Sequence, residues 1–243
     1  MLYLRSITSH IAATFLFLQV LLPTCFAANK DHDLIIFDVN FVLLSRNPAV
    51  NSTVTKEAAL NEIDILNTYF KAKNRSSIIQ FRLKNYSTYN DIKSSECDFI
   101  KIGDYTGRYY SQQWQALFNK CKDLRVVDPT AINFYINDSF SEKKGFKDKT
   151  SHGINNKNRP YIILDWERLN HRIQSPEEHE MGHAFGLGHE CAPEATINTS
   201  TNIMASADCG KGSGGKRNIG FNDNQVKTIL ENGRKIQKNL SMN

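Results

Sequence analysis

The sequence predicts a mixed α/β fold followed by a small, loop-rich C-terminal lobe. Strand-like and helix-like stretches alternate over the first three quarters of the chain, and glycine becomes frequent after Gly188. The 243 residues are 40% hydrophobic and 23% charged, as expected of a globular protein rather than a disordered one. This length suits one domain of moderate size, or two small lobes on either side of a cleft.

Short apolar runs between polar or turn-like residues predict the strands. The first run, Leu34 to Leu44, is rich in Ile, Val, Phe and Leu. Further strands are expected at 76–83, 131–136 and 159–164, with another possible at 98–102. The polar segment 137–158 is predicted to be a loop.

Apolar residues at helical spacing predict the helices. Residues 55–73 form a long amphipathic pattern, which Thr55 can cap. A second helix is expected at 110–122 and a last one at 223–236. Ser175 and Pro176 begin a helix that is predicted to run to about Leu187, because serine, then proline, then two acids is a strong helix start.

The N-terminus is typical of an export signal. An apolar run from Ile11 to Leu22 follows Arg5, and small residues precede a predicted cleavage after Ala27, or after Ala28. A lipoprotein attached through Cys25 is the alternative. The run is too short to span a bilayer. We therefore expect a signal peptide at 1–27, no stable membrane insertion, and a secreted protein, or a periplasmic one if the source is bacterial.

The predicted mature chain, 28–243, is one domain with an upper lobe at about 30–188 and a lower lobe at about 189–243. It keeps four cysteines, an even number that in an exported chain predicts two disulfides. Three pairings are possible. Short loops favour Cys97–Cys121 and Cys191–Cys209.

The formal net charge of +5 does not indicate a nucleic-acid partner. Basic residues cluster in the last thirty positions, as on an ordinary solvated helix face. No nucleic-acid-binding module is recognisable, so we expect no nucleic-acid partner.

The residues with the clearest chemistry lie between His179 and His189. Histidines four apart on a helix face the same way, so His179 and His183 can bind one metal ion. Gly186 allows the helix to end and the chain to turn, which brings His189 back as a third nitrogen ligand. Three neutral nitrogens with one open position suit a single catalytic Zn²⁺, beside which Glu180 can act as general base.

At residue frequencies of a few per cent, a chain of this length would match five fixed positions by chance roughly once in tens of thousands of cases. The simpler interpretation, a helix with exposed histidines, is therefore disfavoured. Glu190 and Glu194 are alternative third ligands, because some zinc sites use a glutamate in that place. Such a glutamate comes from a separate downstream helix, whereas these two lie in the loop directly after His189, so His189 is preferred. His32, His152 and His171 are expected at the surface.

Together with Met204, which follows His189 by fifteen residues, this motif resembles the metzincin zinc proteases. The resemblance implies a twisted mixed sheet with two to three helices in the upper lobe, and a lower lobe with a methionine-containing turn and a C-terminal helix. The helix at 55–73 and the cysteines after His189 also resemble pappalysin-like members, whereas the stretch from His179 to His189 by itself fits matrixin-like or reprolysin-like members equally well. The chain departs from members that place a tyrosine directly after the methionine.

The predicted function is that of a secreted zinc endopeptidase acting on protein or peptide substrates, and we expect a monomer. The alternative is a catalytically silent zinc-binding adhesion or toxin module. The specificity pocket is expected between the active-site helix and the segment after Met204, lined by Asp208 and residues 210–220. An acid there would favour basic substrate side chains.

Overall fold

The structure is a computed structural model, and it describes six stretches of the chain: residues 34–97, 117–137, 140–141, 146–147, 151–169 and 176–242. The predicted signal peptide, the possible strand at 98–102 and most of the predicted helix at 110–122 lie outside these stretches. Of that helix, residues 117–120 are described and are helical.

The described helices alternate with strands along the chain. The helices are α1 (Pro48–Thr53), α2 (Lys56–Tyr69), α3 (Pro176–Ala184) and α4 (Asp223–Ser241). Single 3₁₀ turns occur at Tyr89–Asp91, Ser95–Cys97 and Trp166–Arg168. The strands are β1 (Ile35–Leu44), β2 (Ile79–Thr88), β3 (Ile132–Asn137), β4 (Phe140–Ser141), β5 (Phe146–Lys147), β6 (Ser151–Ile154), β7 (Tyr161–Asp165), β8 (Glu190–Cys191) and β9 (Ala205–Ser206).

Five of these strands form one mixed sheet in the order β2-β1-β3-β7-β6. The first four strands are parallel, and β6 joins β7 antiparallel at the edge. Strands β4 and β5 pair with each other, as do β8 and β9. The mixed α/β fold class predicted from the order of elements is confirmed.

The central strands are apolar on both sides because both faces of the sheet are covered, as parallel sheets require. In β1, Val39, Phe41 and Leu43 point into the larger core, which also contains residues of α2, α3 and α4. Val42 and Leu44 point into a second core on the other face. Strand alternation thus sends successive residues into different cores.

Helix α2 begins where the sequence predicts and ends earlier. The Thr55 hydroxyl accepts a hydrogen bond from the backbone N–H of Ala58 at 3.2 Å, as expected of the cap. The helix stops at Tyr69 rather than Lys73, because the next residues pair with the C-terminal segment. Lys73 N–H donates to Phe221 O at 2.8 Å, and Phe221 N–H donates to Lys71 O at 2.9 Å.

The predicted loop at 137–158 is wrong in part, since it contains β6. Its sequence, Ser-His-Gly-Ile, has no strand-like alternation. It is a strand because β7 supplies a pairing partner and α3 packs against it. Gly153 permits this packing: a Cβ there would overlap the backbone carbonyl of Glu180.

Two other elements are longer than predicted. Strand β2 continues to Thr88 instead of Leu83, since β1 offers a pairing partner over its whole length. Helix α4 continues to Ser241 instead of Ile236, with Leu240 buried in the larger core.

The structure contains two disulfides, Cys97–Cys121 and Cys191–Cys209, the pairings with short loops. The first lies in the second core. The second joins the segment just after His189 to the segment just after Asp208. Across the described stretches, no helix has the length and apolar character needed to cross a membrane.

Candidate metal centre and active-site cleft

Helix α3 places two of the predicted ligands side by side. His179 is 3% exposed, and its Nε2 atom lies 3.1 Å from that of His183. Tetrahedral zinc with bonds of roughly 2.0–2.1 Å separates its ligand atoms by about 3.3 Å. The pair therefore already has a spacing that one zinc ion can bridge.

The end of α3 turns the chain back towards these two histidines. Gly186 has φ +89°, its N–H donates to His183 O at 2.8 Å, and Leu187 N–H donates to Gly182 O at 3.0 Å. This is a Schellman motif, in which a residue with positive φ, usually glycine, ends the helix. The helix consequently ends at Ala184 and not at Leu187 as predicted.

The turn also places the third histidine, His189, close to the other two. The imidazole centroid of His189 lies 4.6 Å from that of His183 and 5.2 Å from that of His179. One ligand atom from each of the three side chains can be chosen so that all lie within 4.8 Å of one another. In the described part of the chain, this is the one group of three or more metal-ligating side chains that close together.

Each histidine is oriented through its Nδ1 atom. Nδ1 of His179 lies 2.8 Å from Ile203 O, and Nδ1 of His183 lies 2.7 Å from Leu187 O. Nδ1 of His189 lies 2.5 Å from Oδ2 of Asp208. A carbonyl or carboxylate at Nδ1 holds the proton there and leaves the Nε2 lone pair for a metal ion.

Burial keeps the helical histidines in the neutral form that binds metal. It lowers the pKa of His179 to about 2 and also lowers the pKa of His183. The nearby cation of Arg217 acts in the same direction on both. Neutral imidazole is the ligand form, so the site's electrostatics agree with its geometry.

Met204 lies beneath α3, in the turn that follows the ligands. Its side chain is fully buried, and a Cβ on Gly182 would overlap its sulfur. The same turn supplies Ile203 O to His179, while Met204 O accepts from the N–H of Glu190 at 2.7 Å. The turn is thus connected both to the first ligand and to the residue after the third.

Glu180 lies in the cleft at the metal centre. Gly153 of β6 donates its backbone N–H to Oε2 of Glu180 at 2.8 Å, and the Ser151 hydroxyl also bonds this carboxyl. Burial raises the pKa of Glu180, and these hydrogen bonds oppose the shift. The carboxyl is thus held in the cleft by two hydrogen-bond donors from β6.

The cleft has a volume of about 530 Å³. Residues 151–155 line it, together with the three histidines, Glu180, Ser206 and Arg217. His152, predicted at the surface, is half-buried here because β6 is a strand beside α3. His32 and His171 lie outside the described residues.

The two acids weighed as third ligands stand apart from the metal centre. Oε2 of Glu190 accepts a hydrogen bond from the Gln225 side chain at 3.2 Å. Glu194 is not part of the histidine group.

One residue near the cleft differs from the sequence prediction. Asp208 was expected to line the specificity pocket, but it bonds His189 and is not among the residues that line the cleft. Arg217, which lies within the predicted segment 210–220, does line it. No motif marks this arginine in the sequence, because its position depends on a turn through Gly214 and Gly215, both with positive φ.

Comparisons with known proteins add little to this geometry. No protein-family model and no curated protein matches the chain. Among solved structures, the crystal structure of archaemetzincin from Methanopyrus kandleri matches 84% of this chain and 96% of that chain, with 14% identity and a TM-score of 0.36. A likeness of that degree does not establish a family, so the functional assignment depends on the site itself.

Proposed function

We propose that the protein is a zinc-dependent peptidase of the metzincin type, with His179, His183 and His189 as metal ligands and Glu180 as the catalytic residue. The observation that carries this proposal is the convergence of three Nδ1-anchored imidazoles beside a buried glutamate in an open cleft. Structural zinc sites have four protein ligands, whereas three ligands leave a position for reaction.

The donor set fits zinc. Imidazole nitrogens are good zinc ligands, and an oxygen acceptor at each Nδ1 favours the tautomer whose Nε2 can bind the metal. A zinc ion held by these residues supplies Lewis-acid activation of a substrate carbonyl and of water. The described part of the chain contributes no thiolate to the site, since Cys191 and Cys209 are joined in a disulfide.

Glu180 is positioned to move protons. One oxygen is held by Gly153, which fixes the carboxyl while the other oxygen accepts a proton from the attacking water. The same carboxyl then donates that proton to the nitrogen of the leaving amine. Its raised pKa suits this exchange, because a general base works best when its pKa approaches the working pH.

The cleft also suits an extended polypeptide. Strand β6 is the edge of the five-stranded sheet and lines the cleft. A peptide in extended form can lie along such an edge and use its backbone groups for binding. We therefore propose protein or peptide substrates, cleaved by a secreted domain spanning 28–243 after removal of a signal peptide at 1–27.

Glu180→Gln tests the proposal, because it keeps the shape and the hydrogen-bond acceptor but removes the base. We expect cleavage of a quenched fluorescent peptide library to fall by about 10²- to 10⁴-fold, the usual contribution of a general base. A chelator should abolish wild-type cleavage, and added zinc should restore it.

Glu231→Gln is the matched control, since Glu231 is exposed on α4. It should cleave like wild type, and both variants should bind the same amount of zinc. Equal cleavage by wild type and Glu180→Gln would contradict the proposal. Zinc binding with no cleavage by wild type would favour a silent zinc-binding module.

A further inference from the structure

Among the described residues that line the cleft beside the candidate metal centre, Arg217 is the one Lys or Arg, and we propose that its guanidinium binds a carboxylate of the substrate. The substrate class that follows is peptides with an acidic group close to the cleaved bond. This inference rests on the proposed peptidase function.

The backbone around Arg217 fixes where its side chain begins. The residue has φ +52°, and its N–H donates to the hydroxyl of Thr201 at 3.2 Å. A left-handed conformation is unfavourable at a non-glycine residue, so the neighbours of Arg217 must hold it there. Thr201 in turn bonds Gly214 O at 2.6 Å, which closes the loop.

The guanidinium is attached to the turn that holds the metal ligands. Its Nε donates to Ala205 O at 2.8 Å, one residue after Met204. Among the described residues, its two terminal amino groups make neither a hydrogen bond nor an ion pair. Because Arg217 is half-buried and lines the cleft, this leaves a fixed pair of donors for a bound molecule.

The nearest acids are already engaged elsewhere. Asp208 bonds His189, and Glu180 accepts from Gly153 and Ser151. Neither forms an ion pair with Arg217. Glu180 and Asp208 act on the Arg217 charge only from beyond contact distance. A half-buried cation whose terminal amino groups touch no carboxylate is incompletely compensated, and a substrate carboxylate would supply that contact. Guanidinium matches carboxylate geometry with two parallel hydrogen bonds.

A carboxylate here has two sources in a peptide: an Asp or Glu side chain, or the C-terminal carboxylate. A transition-state role for Arg217 is a separate possibility, which would speed the cleavage of every peptide alike. Selectivity distinguishes these cases, because charge recognition changes the ratio between substrates whereas transition-state stabilisation does not.

The experiment uses peptides that differ by one group near the cleaved bond: Glu, Gln or Lys, each with a free or amidated C-terminus. We measure kcat/KM for wild type, Arg217→Gln, Arg217→Lys and Arg217→Glu. A charged hydrogen bond of roughly 1.5–3 kcal/mol corresponds to a preference of about 10- to 150-fold for the carboxylate. We expect this ratio in wild type, a ratio near one in Arg217→Gln, partial retention in Arg217→Lys, and a preference for Lys in Arg217→Glu.

The end-group arm identifies the source of the carboxylate. A fall in kcat/KM on amidation that disappears in Arg217→Gln assigns Arg217 to the C-terminus. A preference for Glu over Gln that persists in the amidated peptides assigns it to the side chain. Arg234→Gln, which removes an exposed arginine outside the cleft, should keep the wild-type ratio. Melting temperature and zinc content are measured for every variant, so that a folding defect is recognised.

Three results would overturn the inference: cleavage by wild type without preference for acid, an unchanged ratio in Arg217→Gln, or an equal fall for all peptides. If no peptide is cleaved in a zinc-dependent way, the peptidase proposal fails separately. Binding then decides the role of Arg217. Fluorescence anisotropy with labelled Glu and Gln peptides should still show that the Glu180→Gln protein binds the Glu peptide more tightly. Adding Arg217→Gln should remove that difference. Equal binding of the two peptides by the Glu180→Gln protein would contradict the role of Arg217.

Discussion

Three different groups orient the histidines at the candidate metal centre. Ile203 O and Leu187 O are backbone atoms, whereas His189 depends on the side chain of Asp208. Mutation can therefore remove the partner of His189 alone. The carboxylate fixes the ring and makes its Nε2 more basic, so it should strengthen metal binding.

Asp208→Asn should weaken zinc binding by about 10- to 100-fold, the usual effect of losing such a partner. The side chain of Asp208 is 68% exposed, which favours the lower end of that range. Competition with a zinc chelator of known affinity measures the change. Asp64→Asn, at an exposed position on α2, is the control, and equal affinity in both variants would show that Asp208 has no such role.

Spacing along the chain predicted those residues of the candidate site that lie within one helix and the turn after it. His179, Glu180 and His183 share α3, and Gly186 brings in His189. The sequence placed Asp208 and the segment of Arg217 near the site but not their contacts, because both residues reach it through a loop held by Cys191–Cys209 and by positive-φ glycines.

The elements that form the cleft are α3 and β6, and their separation depends on one glycine. A Cβ at Gly153 would overlap the backbone carbonyl of Glu180, and a helix backbone cannot move aside as a flexible side chain can. The N–H of the same residue holds the Glu180 carboxylate. The packing of β6 on α3 and the proposed role of Glu180 therefore depend on the same residue.

Gly153→Ala should destabilise the fold by about 1–3 kcal/mol through overpacking, and should also displace Glu180 and lower cleavage. Gly188→Ala is the matched control, since nothing lies within 4 Å of an added Cβ there. Urea unfolding and cleavage assays measure the two effects. If both variants unfold at the same urea concentration and cleave equally, β6 does not pack against α3 as described.

Among the elements, long apolar or amphipathic segments were predicted and short ones were not. Strand β1 and helices α2 and α4 carry enough periodic residues to be recognised alone. Strand β6 has four residues including a glycine, so only its neighbours make it a strand. The end of α3 was misplaced because the Schellman turn begins before Gly186 rather than after it.

Across the molecule, the order of strands and helices was enough to predict a mixed α/β fold. The sequence could not show how the C-terminal segment is attached to the rest. Phe221 pairs with the backbone after α2, and the Asn232 side chain donates to Phe185 O at the end of α3, at 2.7 Å. These contacts join residues more than forty positions apart, which local patterns do not encode.

The same contacts connect the metal centre to the larger core. Phe185 and Phe221 both belong to that core, while Asn202 beside Met204 bonds Gln225 of α4 at 2.9 Å. The histidines are thus tied to the fold through the core and the C-terminal helix. We expect zinc to enter a prepared site rather than to fold the domain.

Zinc titration of the metal-free protein tests the central claim most directly. Peptide cleavage should rise in proportion to added zinc and stop rising at one equivalent, with His183→Ala inactive throughout. Circular dichroism should change little, because the site is already formed. Cleavage that is independent of zinc, or that is unaffected in His183→Ala, would contradict the account.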